Sequence, residues 1–192
     1  MEVQRELPHQ KQMQKKKEES LLHDPTSVLD SLKLCGQKKD LQKARDLHGR
    51  LVRNEMLTKD IYLSNAVISM YAKCGSISEA RKVFDELPIR NVVTWNTLIT
   101  AYIHHGLAHN ALESFRHMKS EGFSPNAVTF ICILKACGRV GSLDVGEEIH
   151  ANVSKQGLLE TNIIVGNALI DMYAKCNMLG KAQQVFDEIP LH

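Results

Sequence analysis

Apolar residues recur along this chain with a helical period. In residues 61–74, Val67, Ile68 and Tyr71 fall at i, i+1 and i+4, on one helical face. Gly75 follows at the place where a left-handed residue ends a helix. A second stretch carries Ala80, Val83 and Phe84 on one face and runs to about Glu86, and Pro88 closes it. The segment therefore predicts two short helices joined by a tight turn.

The same pattern returns. Asn65-Ala-Val-Ile-Ser-Met-Tyr-Ala-Lys-Cys74 reappears 102 residues later as Asn167-Ala-Leu-Ile-Asp-Met-Tyr-Ala-Lys-Cys176. At that offset Val83-Phe-Asp-Glu-Leu-Pro88 becomes Val185-Phe-Asp-Glu-Ile-Pro190, Lys33-Leu-Cys-Gly36 becomes Lys135-Ala-Cys-Gly138, and His48 becomes His150. Smaller steps lie within it: Asn65 aligns with Asn96 after 31 residues, Asn96 with Ile131 after 35, and Ile131 with Asn167 after 36. Five units then start near Pro25, Ile61, Val92, Ala127 and Ile163. The equivalents of Gly75 are Gly106, Gly141 and Asn177, all tolerant of positive φ, with Lys39 as the exception. The Ala80 position holds Ala44, Ala111, Gly146 and Ala182, small residues that let helices approach closely. Two short helices cannot bury their faces alone, so the units must stack. The predicted fold class is all-α, an α-solenoid.

Composition changes the picture little. The 192 residues carry 24 Lys+Arg against 22 Asp+Glu, a formal net charge of +2, which excludes a strongly basic nucleic-acid-binding domain. No run of apolar residues approaches the length of a transmembrane helix. Five cysteines, Cys35, Cys74, Cys132, Cys137 and Cys176, are odd in number and widely spaced, which suits buried, reduced thiols. No C-x-x-C occurs, and the H-x-E with P-C-x-x-C signature of zinc deaminases is missing. Gly-rich phosphate loops, nucleophile elbows and paired acids are likewise missing. The expectation is a protein that is no enzyme, with no catalytic residue, metal or cofactor. Residues 1–23 are polar and Gln- and Lys-rich, with four Glu, one Arg and one Ser, unlike a signal or transit peptide. They are expected to form a flexible leader.

These phrases support a family resemblance. The chain resembles the pentatricopeptide repeat (PPR) proteins over about residues 24–192, specifically their plant PLS subclass. Residues 92–126 look like a standard P unit of 35 residues. Residues 61–91 and 163–192 look like short S units, with their MYAKC and VFDE-(L/I)-P phrases. Residues 25–60 and 127–162 look like long L units. The last unit stops at His192, one residue short of its 31, and no E, E+ or DYW segment follows. The resemblance implies a right-handed solenoid that binds single-stranded RNA, with C-to-U editing-site recognition in a mitochondrion or chloroplast. Deaminase chemistry would come from a partner or from a segment beyond His192.

Within that resemblance, Asn65, Asn96 and Asn167 stand at the inward-facing position of three first helices. Asn offers a carbonyl oxygen and an NH₂ on a short stem, which suits a base edge. The family implies that each acts with the last residue of its unit, giving the pairs Asn65 with Asn91 and Asn96 with Asn126, read as pyrimidine, usually C before U. Asn167 has no partner within the sequence. Leu29 with Asp60 and Ile131 with Asn162 are expected to read weakly, because Leu and Ile cannot hydrogen-bond a base. The family also implies base-clamping by the second residue of each unit: Tyr62, Val93, Val128 and Ile164, with Thr26 in the first. Aliphatic clamps fit a chain with only 5% aromatic residues. His48 and His150, which occupy the position of Phe84, Phe115 and Phe186, are expected to be satisfied core residues. A tetratricopeptide-like scaffold that binds protein or peptide is the alternative function.

Overall fold

The computed structural model describes residues 25–189; the leader over 1–23 and the end of the last unit, 190–192, lie outside the described residues. The chain folds into helices α1 (Pro25–Lys38) and α2 (Leu41–Arg53) with a single turn α3 (Met56–Lys59), then α4 (Ile61–Lys73) and α5 (Ile77–Glu86), α6 (Val92–His104) and α7 (Ala108–Ser120), α8 (Ala127–Val140) and α9 (Leu143–Lys155) with a single turn α10 (Leu158–Thr161), and α11 (Ile163–Lys175) and α12 (Leu179–Glu188). Among the described residues there is no strand. First helices pack in a row, α1 on α4, α4 on α6, α6 on α8 and α8 on α11. Each of α2, α5, α7 and α9 packs against its own first helix and the first helix of the next unit. The result is an all-α solenoid whose buried residues form a continuous seam between neighbouring units.

Each first helix after α1 starts on a side-chain cap. Asp60 Oδ1 accepts from the backbone N–H groups of Tyr62 and Leu63 at 2.8 and 3.2 Å. Asn91 and Asn126 form reciprocal capping boxes with Thr94 and Thr129. Asn162 accepts from Ile164 and Val165. The ends are equally regular. The carbonyls of Cys35, Tyr71, Tyr102, Cys137 and Tyr173 each accept from the N–H five residues on, at 2.9–3.2 Å. That bond requires a left-handed residue just before the donor, and Lys39, Gly75, Gly106, Gly141 and Asn177 all have φ between 54° and 82°. Lys39 thus adopts the glycine conformation despite its Cβ.

Pairs of charged residues join the outer helices. Arg45 of α2 bonds Glu79 of α5 at 2.7 Å, Lys119 of α7 bonds Glu148 of α9 at 2.5 Å, and Lys181 of α12 pairs with Glu147 of α9. Side chains also cap carbonyls of the preceding unit: His105 Nε2 lies 2.7 Å from the Ala72 carbonyl, and Arg139 donates to the Ile103 carbonyl. The small-residue position does more than let backbones approach. A Cβ on Gly146 would lie 2.6 Å from Met172 Cε, so the space there belongs to a side chain of α11.

The two histidines are joints between units. His48 Nδ1 lies 3.0 Å from Tyr71 Oη and His150 Nδ1 lies 2.9 Å from Tyr173 Oη, each pair in edge-on ring contact. Phe84 and Phe115, at the equivalent position, are 1% and 2% exposed. The cysteines divide. Cys35 and Cys137 are buried, and burial pushes their thiols up, Cys137 to about 12. Cys74, Cys132 and Cys176 are only half-buried, against the expectation for all five, because they lie at or near the exposed ends and edges of first helices.

Two outcomes follow from these joints. Lys39→Gly removes the strain of a Cβ at positive φ and should raise stability by about 1 kcal/mol in denaturant unfolding, whereas Lys39→Ala should not. Burial lowers the pKa of both His48 and His150. An unfolded histidine, with a pKa of about 6.5, then binds protons that the folded one refuses, so stability is full above that value and falls as pH drops below it. Replacing both His–Tyr pairs by Phe–Phe should flatten the acid side of the stability profile measured by thermal melts from pH 7 to pH 5.

Candidate nucleic-acid interface

The exposed edge of the first-helix row forms a cleft of about 640 Å³. Its lining comes from three consecutive units: Asn65, Ser69 and Lys73 of α4, Val93, Asn96, Thr97, Thr100 and His104 of α6, and Asn126 and Val128 at the start of α8. Five of the sequence-predicted residues therefore meet there: Asn65, Asn96, Asn126, Val93 and Val128. Tyr62 and Ile164 are not among the lining residues, but each stands second in its first helix, as do Val93 and Val128. All four are exposed, at 75%, 61%, 55% and 51% respectively. Large apolar side chains held in water at one repeated position are available to a ligand.

The three inward asparagines differ in state. Asn96 is buried, at 7% exposure, and bonded on both ends of its amide. Its Nδ2 donates to Asn126 Oδ1 at 3.1 Å, and its Oδ1 accepts from the Thr129 hydroxyl at 2.7 Å. Asn65 is half-buried, and its Oδ1 is shielded from water with no hydrogen-bond partner. An unsatisfied buried acceptor costs on the order of 1–3 kcal/mol, which an incoming N–H donor would relieve. Asn167 is exposed.

The unit-closing residues also have a structural duty that the sequence pattern does not reveal. Asn91 and Asn126 are the N-caps of α6 and α8, accepting from Thr94 N and Thr129 N at 2.9 and 3.2 Å. Asn126 touches Asn96 directly, whereas Asn91 bonds Thr94. Leu29 and Ile131, at the same position as the asparagines, pack half-buried against the core instead.

One cation, Lys73, lines the cleft. It lies thirteenth in its unit, the position that holds His104, Arg139 and Lys175 in later units. The stem of Lys73 lies over Gly36 of α1, and that of Lys175 over Gly138 of α8, leaving each ammonium outward. Lys175 is neutralised by Asp171 at 2.6 Å; among the described residues Lys73 has no carboxylate partner. His104, His105, His109 and His117 do not assemble into a ligand set, and among the described residues no group of three His, Cys or acidic side chains could hold a metal ion.

Comparison with known proteins agrees with this architecture. The chain matches the PPR repeat family over residues 90–139 and the PPR repeat over residues 62–92 and 167–191, together more than half its length. It is 37% identical over 165 residues to pentatricopeptide repeat-containing protein At2g13600 of Arabidopsis thaliana, covering 86% of this chain and 24% of that protein. It is 38% identical over 164 residues to the chloroplastic pentatricopeptide repeat-containing protein At4g18520 of the same plant, covering 85% of this chain and 26% of that protein. The chain thus spans about a quarter of the length of these relatives. Among solved structures it resembles the maize pentatricopeptide repeat protein PPR10, with TM-score 0.64 at 22% identity, covering 86% of this chain and 24% of that one. It also resembles PPR10 in complex with an 18-nt psaJ RNA element, with TM-score 0.67 at 19% identity, covering 86% and 25%. The chain belongs to the pentatricopeptide repeat proteins, and its solenoid is theirs.

Proposed function

We propose that this chain binds single-stranded RNA along the first-helix row and selects pyrimidines at units 61–91 and 92–126. The observation that carries this reading is the convergence of Asn65, Asn96, Asn126, Val93 and Val128 on one cleft. Polar amides at its floor and exposed aliphatic side chains at its rim offer a base both an edge to bond and faces to pack against. Lys73 lines the same cleft and offers a cation to a phosphate. With Asn91 and Asn167, these asparagines are the base-selecting set, and Tyr62 and Ile164 extend the clamps. The solved complex of PPR10 with RNA, on the same fold, supports the reading by analogy.

The unit lengths suit alternating L, S, P, L and S repeats of the PLS subclass. Within that reading the chain recognises sites for organellar RNA processing, including C-to-U editing, and a deaminase acts in trans or from sequence outside this chain. Relatives named as mitochondrial and chloroplastic support an organellar setting. Among the described residues no helix is long and apolar enough to cross a membrane.

Binding of short RNAs tests the reading. Oligonucleotides with pyrimidines opposite the two Asn–Asn units should bind about tenfold or more tighter than purine-substituted ones, and Asn65→Ala with Asn96→Ala should erase the difference. Equal affinity for both RNAs would contradict base selection. Absence of RNA binding, with capture of peptides instead, would favour a tetratricopeptide-like scaffold.

A further inference from the structure

We propose that Thr129 is a positioning residue that locks the Asn96 amide in one orientation, so that unit 92–126 distinguishes cytosine from uracil. The inference rests on the RNA-binding reading above. It starts from a donor whose identity is certain, the backbone N–H of Thr129. This group donates to Asn126 and therefore faces the amide oxygen, Oδ1. The Asn96 atom lying 3.1 Å from that oxygen must then be the donor, Nδ2. The remaining Asn96 oxygen is left facing the Thr129 hydroxyl at 2.7 Å; that hydroxyl also lies 3.1 Å from Asn126 Oδ1, which already accepts from the Thr129 N–H, and it gives its single proton to the nearer Asn96 oxygen. The backbone N–H identifies the atoms, and the Thr129 hydroxyl, through the shortest bond of the chain, holds the Asn96 oxygen away from the ligand; without that hydroxyl the oxygen is released to accept.

The consequence is a polarised edge. Both amide oxygens are engaged within the protein, while one N–H of Asn96 and the NH₂ of exposed Asn126 remain for a ligand. Donors alone suit the adjacent N3 and O2 acceptors of cytosine. Uracil presents an N3–H donor at the same place and meets like with like.

Two internal comparisons support the assignment. Unit 61–91 has the same capping box, Asn91 with Thr94, yet Thr94 bonds only within that box and Asn65 Oδ1 has no partner. No bond fixes the direction of the Asn65 amide, so this unit takes either pyrimidine. Where the inward residue is apolar, as at Leu29 and Ile131, the residue three into the next unit is apolar too: Leu63 and Val165, both buried. A hydroxyl stands at that place after each of the two Asn–Asn pairs.

The experiment measures affinity for oligocytidylate and oligouridylate of equal length with the protein as it stands, Thr129→Val, Thr129→Ser and Thr94→Val, with thermal melts of each. The unaltered protein should prefer oligocytidylate by ~3-fold or more, Thr129→Val should bring the ratio to near one, and Thr129→Ser should retain it. Thr94→Val suffers the same loss to a helix cap and should leave the ratio unchanged. An unchanged ratio in Thr129→Val, or a loss of equal size in Thr94→Val, overturns the inference while RNA binding stands. Should Thr129→Val fail to fold, the contrast between Thr129→Ser and Thr94→Val decides: a ratio lost in Thr94→Val, or no preference in the unaltered protein, counts against it. No affinity of the unaltered protein for either oligonucleotide overturns the RNA reading itself, and this inference with it.

Discussion

The residue that closes each unit caps the first helix of the next, and the rest of the structure hangs on that bond. Asp60, Asn91, Asn126 and Asn162 each place a side-chain oxygen on the first turn of α4, α6, α8 or α11. The cap sets where the helix begins. Its second residue is thereby held in solvent and its third is buried, and in α4 and α6 the fifth, Asn65 and Asn96, lines the cleft. A solenoid has no central core to correct an error of phase, so this local bond carries a burden that long-range packing bears in a globular domain. Asn126 serves both ends of the scheme, as cap of α8 and as partner of Asn96.

Much of this was legible in the sequence because repetition exposes it. Offsets between units located the helices, and two of the three asparagines set in otherwise apolar stretches, Asn65 and Asn96, lie on one cleft. What was not legible depends on contacts between units. Nothing in the phrase around Asn96 reveals that its amide is already bonded, since both partners lie some thirty residues on. The capping duty of Asn91 and Asn126 hid behind their expected duty in recognition. The turns α3 and α10 fill the extra length of units 25–60 and 127–162, following left-handed Glu55 and Gly157. Lys39 lacks the backbone freedom of Gly or Asn at the left-handed turn yet adopts it, because the pull of the neighbouring hydrogen bonds exceeds the cost of its Cβ. The shared thirteenth position of Lys73, Arg139 and Lys175 is legible once the units are aligned.

The division of labour between the two layers explains the electrostatics. Outer helices spend their charges on one another, through pairs such as Arg45 with Glu79. The inner row keeps few cations, and its character comes from amides and exposed aliphatic groups. A near-zero net charge is therefore compatible with recognition of a polyanion, provided that the bases rather than the phosphates supply most of the contact.

The central claim, that RNA bases meet the inner row at the Asn65–Asn96–Asn126 cleft, is tested most directly by side-chain amide NMR during titration with a short pyrimidine RNA. The account predicts shifts of the Asn65, Asn96 and Asn126 NH₂ signals together with the backbone signals of Val93 and Val128. Shifts confined to α5, α7 and α9, with these amides unmoved, would contradict it.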